Sequence, residues 1–226
     1  MSLKMNKGSL PMSGSPRIAK TWRFIQTGDI TDMAFSGTNA TTPSLGIDGA
    51  GGGVLCTNAG ADNDSCQFQT DSEFIRFNIL NEIYHFEWVA AFNEATQNDV
   101  WFGVCTRDTD VIGSKPNDRI GFSKDDGDTY LDVENYMNGT DYGSSANVDT
   151  FATTKARYRI TVRTGGTAAK GDVYFYKNGV LLKKLFGKTV VDDEELVMSF
   201  GVQNGEGSAK TGTVYEMSFD IPNPHL

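Results

Sequence analysis

Long apolar runs, histidine and helical periodicity are all scarce in this 226-residue chain. No segment approaches the roughly 20 consecutive apolar residues that a membrane-crossing helix needs, so no membrane role is expected. The opening residues, MSLKMNKGSLPMSGSP, lack the apolar core of a secretory leader, which predicts synthesis in a reducing cytosol. His85 and His225 stand far apart, and with three cysteines they make no zinc-ligand spacing, so neither metal nor cofactor is expected. Cys56 and Cys66 bracket a short turn and could bridge, but an odd cysteine count without a leader favours free thiols. Cys105 alternates with bulky residues and is expected to be a small sheet or core residue. No heptad or internal repeat is present from which a fibrous stalk could be built.

A basic body is missing too. The formal charge is −9, from 20 Lys and Arg against 29 Asp and Glu. Residues 1–20 hold Lys4, Lys7, Arg17 and Lys20 and no acid, so the remainder, with 16 bases and 29 acids, carries −13. An acidic body of this kind argues against nucleic acid, for which a basic stripe is the usual footprint.

What the chain does have is strand patterning, clearest over Asp172–Phe186. Asn178-Gly179 lies between two apolar, aromatic-rich segments, and Asn-Gly tolerates the positive φ that a two-residue type I′ turn demands at both positions. That turn sets Lys177 against Val180, Tyr176 against Leu181, Phe175 against Leu182 and Tyr174 against Lys183. Val173, Phe175, Val180 and Leu182 then share one face, and Tyr174, Tyr176, Leu181 and Leu185 the other. A lone hairpin is marginal in water, so this one must belong to a larger sheet.

The rest of the chain reads the same way. Residues 1–20 are rich in Ser, Gly, Pro and Met without periodicity, and predict a flexible basic arm preceding a single domain over residues 21–226. In Ile83–Phe92 the period is two: Tyr84, Phe86, Trp88, Ala90 and Phe92 share a face, and His85 and Glu87 lie opposite. Ile75, Phe77 and Ile79 alternate likewise, as do Val100, Phe102 and Val104; Tyr158, Ile160 and Val162; Leu196, Met198, Phe200 and Val202; and Tyr215, Met217, Phe219 and Ile221. An Asp-Gly turn joins strands on either side of Lys124–Asp128, and residues 138–150 read as a Gly, Ser and Asn loop. Arg157, Arg159 and Arg163 face outward from their strand. About a dozen strands and no helix predict an all-β fold, an antiparallel two-sheet β-sandwich of jelly-roll type.

The phrases ADNDSCQFQ (Ala61–Gln69), FEWVAAF (Phe86–Phe92), DRIGFSKDDGDTYLDVE (Asp118–Glu134), DVYFYKNGVLL (Asp172–Leu182) and DDEELVMSFGVQNGE (Asp192–Glu206) carry a resemblance. They resemble the concanavalin A-like lectin/glucanase sandwich, in the version found among virion structural proteins of tailed bacteriophages. The resemblance implies a protein made in the host cytoplasm that decorates or cements the outer capsid surface of a virion. Its partners would be the major capsid protein and other virion proteins, gripped by the arm residues Lys4, Lys7, Arg17 and Lys20, and a homo-oligomer is possible. An alternative implied by the same fold is a lectin-like adhesion module for host-surface glycans, with Trp101, Tyr136 and Tyr142 as candidate glycan-binding residues.

Glucanases of this fold carry Glu-x-Asp-x-Glu along one strand. The matching run here is Tyr130-Leu131-Asp132-Val133-Glu134, so Tyr130 stands where the nucleophile belongs, and a non-enzymatic protein with no catalytic residues is expected. Asp125, Asp126 and Asp128 do not fit an EF-hand, and the Asp-Gly turn accounts for them. His85 and Glu87 read as a solvent-side pair, and Asn39, Asn63 and Asn138 begin sequons that a cytosolic protein does not use.

Overall fold

A computed structural model describes residues 16–24, 31–37, 52–167, 170–190 and 193–223. The strands run β1 (Arg17–Arg23), β2 (Met33–Ser36), β3 (Val54–Thr57), β4 (Ser65–Thr70), β5 (Ile83–Phe92), β6 (Asn98–Cys105), β7 (Arg119–Lys124) and β8 (Tyr130–Met137). They continue with β9 (Thr140–Asp141), β10 (Ser145–Thr150), β11 (Ala156–Thr164), β12 (Lys170–Lys177), β13 (Val180–Thr189), β14 (Val197–Asn204) and β15 (Thr211–Pro222). No helix occurs among the described residues.

Two antiparallel sheets stack face to face. One has seven strands in the order β1-β15-β5-β11-β12-β13, with β3 also on β15. The other has eight, in the order β10-β8-β7-β6-β14-β4-β2, with β9 on β8. Between them lies an aromatic core. Phe102 sits 4.9 Å from Tyr158, 5.1 Å from Phe122 and 6.1 Å from Trp88, and these rings join the two sheets. The alternation of β5 holds as expected: Tyr84, Phe86, Trp88, Ala90 and Phe92 are buried, while His85 and Glu87 are only half-buried.

The predicted Asn178-Gly179 turn forms, with φ of 51° and 82°. Lys177 pairs with Val180 and Tyr176 with Leu181, but a bulge then sets Phe175 opposite Lys183 and Val173 opposite Leu185. The extra residue turns the strand over. Leu185 therefore enters the core, and Val180 is left 64% exposed. Another bulge falls between Val214 and Glu216, so Val214 is buried and Tyr215 is not, contrary to the straight alternation.

Four further expectations are corrected. β1 runs from Arg17 to Arg23, so Arg17 and Lys20 are strand residues and not part of an arm. Residues 74–79 are not a strand: Ile75 makes one isolated bridge to Leu196, and Ile75 and Phe77 fill the core from irregular backbone. Residues 138–150 contain β9 and β10, entered through an Asn138-Gly139 turn at φ 50° and 72°. Cys56 and Cys66 are bridged, with Cα atoms 5.6 Å apart. Strands β3 and β4 belong to different sheets, so the bridge ties the sheets together at one edge. Cys105 remains a buried free thiol, pushed up to about 12 by its burial.

Candidate functional site

The sandwich is open along one side, where β1 and β2 are the outermost strands of their sheets. On β1, Ile18, Lys20 and Trp22 alternate towards the inside, paired in register with Ile221, Phe219 and Met217 of β15. The segment after β4 crosses this opening and contributes Phe74. Together they leave a cleft of about 610 Å³ whose lining includes Trp22, Phe74, Phe219, Asp32, Glu73 and Asn78.

Its floor is aromatic. The Phe219 ring lies 5.6 Å from Trp22 and 4.6 Å from Phe74. Its rim is polar: Asp32, Asp71, Glu73, Glu195, Arg76, Lys20 and Asn78 surround the mouth. Lys20 bonds Asp32 and lies 4.6 Å from the Trp22 ring, and the Trp22 indole N–H donates to the same Asp32 oxygen at 3.1 Å. Hydrogen bonds from Lys20 and Trp22 hold the Asp32 carboxyl below the usual carboxylate range, so it stays an acceptor. An apolar ring floor under a border of carboxylate acceptors and amide or ammonium donors suits a ligand with a C–H face and a fringe of hydroxyls.

The other predicted site residues are dispersed. Lys4 and Lys7 lie outside the described residues. Arg17 points away from the cleft, donating to Asp220 Oδ1 at 2.6 Å and to the Ile83 carbonyl at 2.7 Å, whereas Lys20 belongs to the cleft. Trp101 is fully buried and offers no surface to a glycan. With Cys105, Val111, Ile112 and Val197 it forms a small second core on the outward face of the eight-stranded sheet. Gly121 makes room for it, because a Cβ there would stand 2.7 Å from the indole. Tyr136 is half-buried under the Arg119 guanidinium, 3.7 Å above its ring, and Tyr142 is half-buried after β9. The structure does not assemble these three as a platform.

Asp132 and Glu134 share the face of β8 opposite the core residues Leu131 and Val133, but Asp132 is half-buried and Glu134 is buried. Glu134 accepts from Arg119 at 2.6 Å, Lys115 at 2.8 Å and the Trp101 indole at 3.2 Å. Burial alone would raise its pKa, but the Lys115 and Arg119 charges hold it below the ordinary value. Burial raises Asp132, which accepts from the Asn147 amide at 2.7 Å. Tyr130 supplies no carboxylate and is 44% exposed.

Lys124 closes β7 just before the acidic Asp125–Asp128 turn. Its buried ammonium donates to the Thr96 and Asn98 carbonyls, both at 2.6 Å, and brings a tethered cation to the end of the sandwich that carries these acids. Among the described residues no group of three or more His, Cys, Asp or Glu is arranged to hold a metal ion. His85 pairs with Thr161 at 2.9 Å, and Glu87 with Arg157 at 2.7 Å, so the expected His85–Glu87 pair is replaced by two cross-strand pairs.

No protein-family model matches the chain, and no curated protein is similar to it in sequence. Its shape is matched. The endo-1,3-beta-glucanase from Streptomyces sioyaensis superposes with a TM-score of 0.65 at 11% identity, over 96% of this chain and 100% of that one. The carbohydrate recognition domain of Emp46p gives 0.60 at 9% identity, over 88% and 95%. Arcelin-5, a lectin-like defense protein from Phaseolus vulgaris, gives 0.59 at 12%, over 91% and 98%. The fold is that of the lectin and glucanase jelly-roll sandwiches. Within this lectin/glucanase fold the edge cleft was hidden from sequence reasoning, because its walls come from segments about 50 to 200 residues apart. Trp22, as an aromatic, is a residue type that could have marked the cleft, but nothing in its own segment singled it out.

Proposed function

We propose that this protein is a non-enzymatic carbohydrate-binding module that seats a neutral sugar in the edge cleft. The observation that carries the reading is the aromatic floor of Trp22, Phe74 and Phe219 beneath a polar rim. The shared fold with a carbohydrate recognition domain and a lectin-like protein supports it. The absence of a nucleophile at Tyr130 and the ion-paired state of Glu134 favour binding over hydrolysis. A glycan array, run with and without calcium, tests the reading. Wild type binds at least one neutral oligosaccharide, and Glu73→Ala with Asn78→Ala weakens that binding roughly tenfold, the worth of one or two hydrogen bonds. Silence across the array, or an unaffected double variant, contradicts it.

The narrower reading, a module carried on the outer capsid surface of a phage and seated on the major capsid protein, draws on the sequence phrases between Ala61 and Glu206 alone. The lectins and glucanase matched above lend it no support, and finding the chain in purified particles is what would establish it.

A further inference from the structure

Residues 156–189, which make β11, β12 and β13, hold eight Lys and Arg and a single acid, Asp172. This stretch is therefore +7 in a chain of −9, and the remainder, with 12 bases and 28 acids, is −16. Three of those bases are committed to acids: Arg157 to Glu87 and Glu216, Lys177 to Asp149 and Lys184 to Asp172. The outward side of the stretch interleaves cations with rings. Arg159 lies 4.3 Å from the Tyr176 ring, and Lys184 lies 4.5 Å from Tyr174 and 3.4 Å from Phe186. The two tyrosine rings are 6.5 Å apart and within 14° of parallel. Phe186 is 65% exposed, and Arg163 projects from the same face. Arg159 also keeps a buried Nε–H with no hydrogen-bond partner among the described residues.

We propose that this face is a second binding surface, for a linear acidic polysaccharide. For the class of polymer the proposal rests on the carbohydrate-binding reading above, and for the surface it rests on charge and ring geometry. Cation–π contacts hold Arg159 and Lys184 in place before a ligand arrives, which lowers the ordering cost of meeting a carboxylate or sulfate. Tyrosine and phenylalanine rings between the charges meet the C–H faces of sugar units, a contact that an acidic peptide does not offer as regularly. A second copy of the chain is disfavoured along the β13 edge, where Lys183, Lys184 and Lys188 would meet their own kind and two bulges break the ladder.

Affinity electrophoresis through gels containing polygalacturonate, dextran, poly-glutamate or oligothymidylate tests the proposal. Polygalacturonate retards the wild-type protein, and the retardation falls as salt rises. Arg163→Ser with Lys184→Ser weakens it roughly tenfold, and Arg163→Lys with Lys184→Arg restores it. Arg163 is exposed and Lys184 half-buried, and an unchanged thermal midpoint in each variant shows that the fold is intact. Asn78→Ala in the edge cleft leaves polygalacturonate retardation unchanged, so the two sites fail or hold separately. No retardation by polygalacturonate overturns the proposal. So does equal retardation of the double serine variant, or equal capture by poly-glutamate or oligothymidylate.

Discussion

Glu94 accepts from the Ala95 amide at 2.7 Å, the Thr96 amide at 2.9 Å and the Thr96 hydroxyl at 3.0 Å. These bonds, the Thr96 amide first, depress its pKa from the ordinary 4.5 to about 2. As pH falls the unfolded chain takes up this proton before the folded one does. The stabilisation is therefore complete above 4.5 and is lost between 4.5 and about 2. Thermal unfolding followed against pH should show the midpoint falling through that window, with a shallower fall in Glu94→Gln. An identical slope in the variant contradicts this assignment. The residue scale is also where the sequence was hardest to read. Trp101 has the composition of a sugar platform, yet a turn of chain after β6 brings Val111 and Ile112 over it. Lys20 has the composition of a floppy basic tail, yet it bonds Asp32 across a cleft. Both outcomes depend on neighbours remote in sequence, which local composition does not report.

Strand interiors were legible because burial on one face of a sheet imposes a period of two, and β5 obeys it apart from Val89, which is buried on the outward face. Strand ends and irregularities were not. Asn178-Gly179 and Asn138-Gly139 are the same dipeptide with the same positive φ, but only the first is flanked by long apolar strands that advertise it. Bulges at Leu182 and Tyr215 leave no mark that alternation alone would reveal. Glycine roles at close approaches were equally silent. A Cβ on Gly121 would stand 2.7 Å from the buried Trp101 ring, and the ring is held by the chain above it. Gly121→Ala should cost about 1–3 kcal/mol, as overpacking of a filled core does. Gly60→Ala, where nothing lies within 4 Å, is the control and should stay within about 0.5 kcal/mol. Denaturant unfolding of the two variants checks this, and equal midpoints would contradict the packing account.

The whole molecule is a two-sheet sandwich with a cleft on one open side and a basic face across β11–β13 at the other end of the seven-stranded sheet. Fold class followed from the number and spacing of strands, whereas the cleft needed the two sheets in register before its walls met. The most direct measurement is a titration of nitrogen-labelled protein with the strongest neutral oligosaccharide from the array, watching the three indole N–H signals. Trp22 lines the cleft, while Trp88 and Trp101 are buried elsewhere. The cleft account predicts that the Trp22 indole signal moves to a saturable end point while the Trp88 and Trp101 signals stay in place. A bound oligosaccharide that leaves the Trp22 signal unmoved would contradict it.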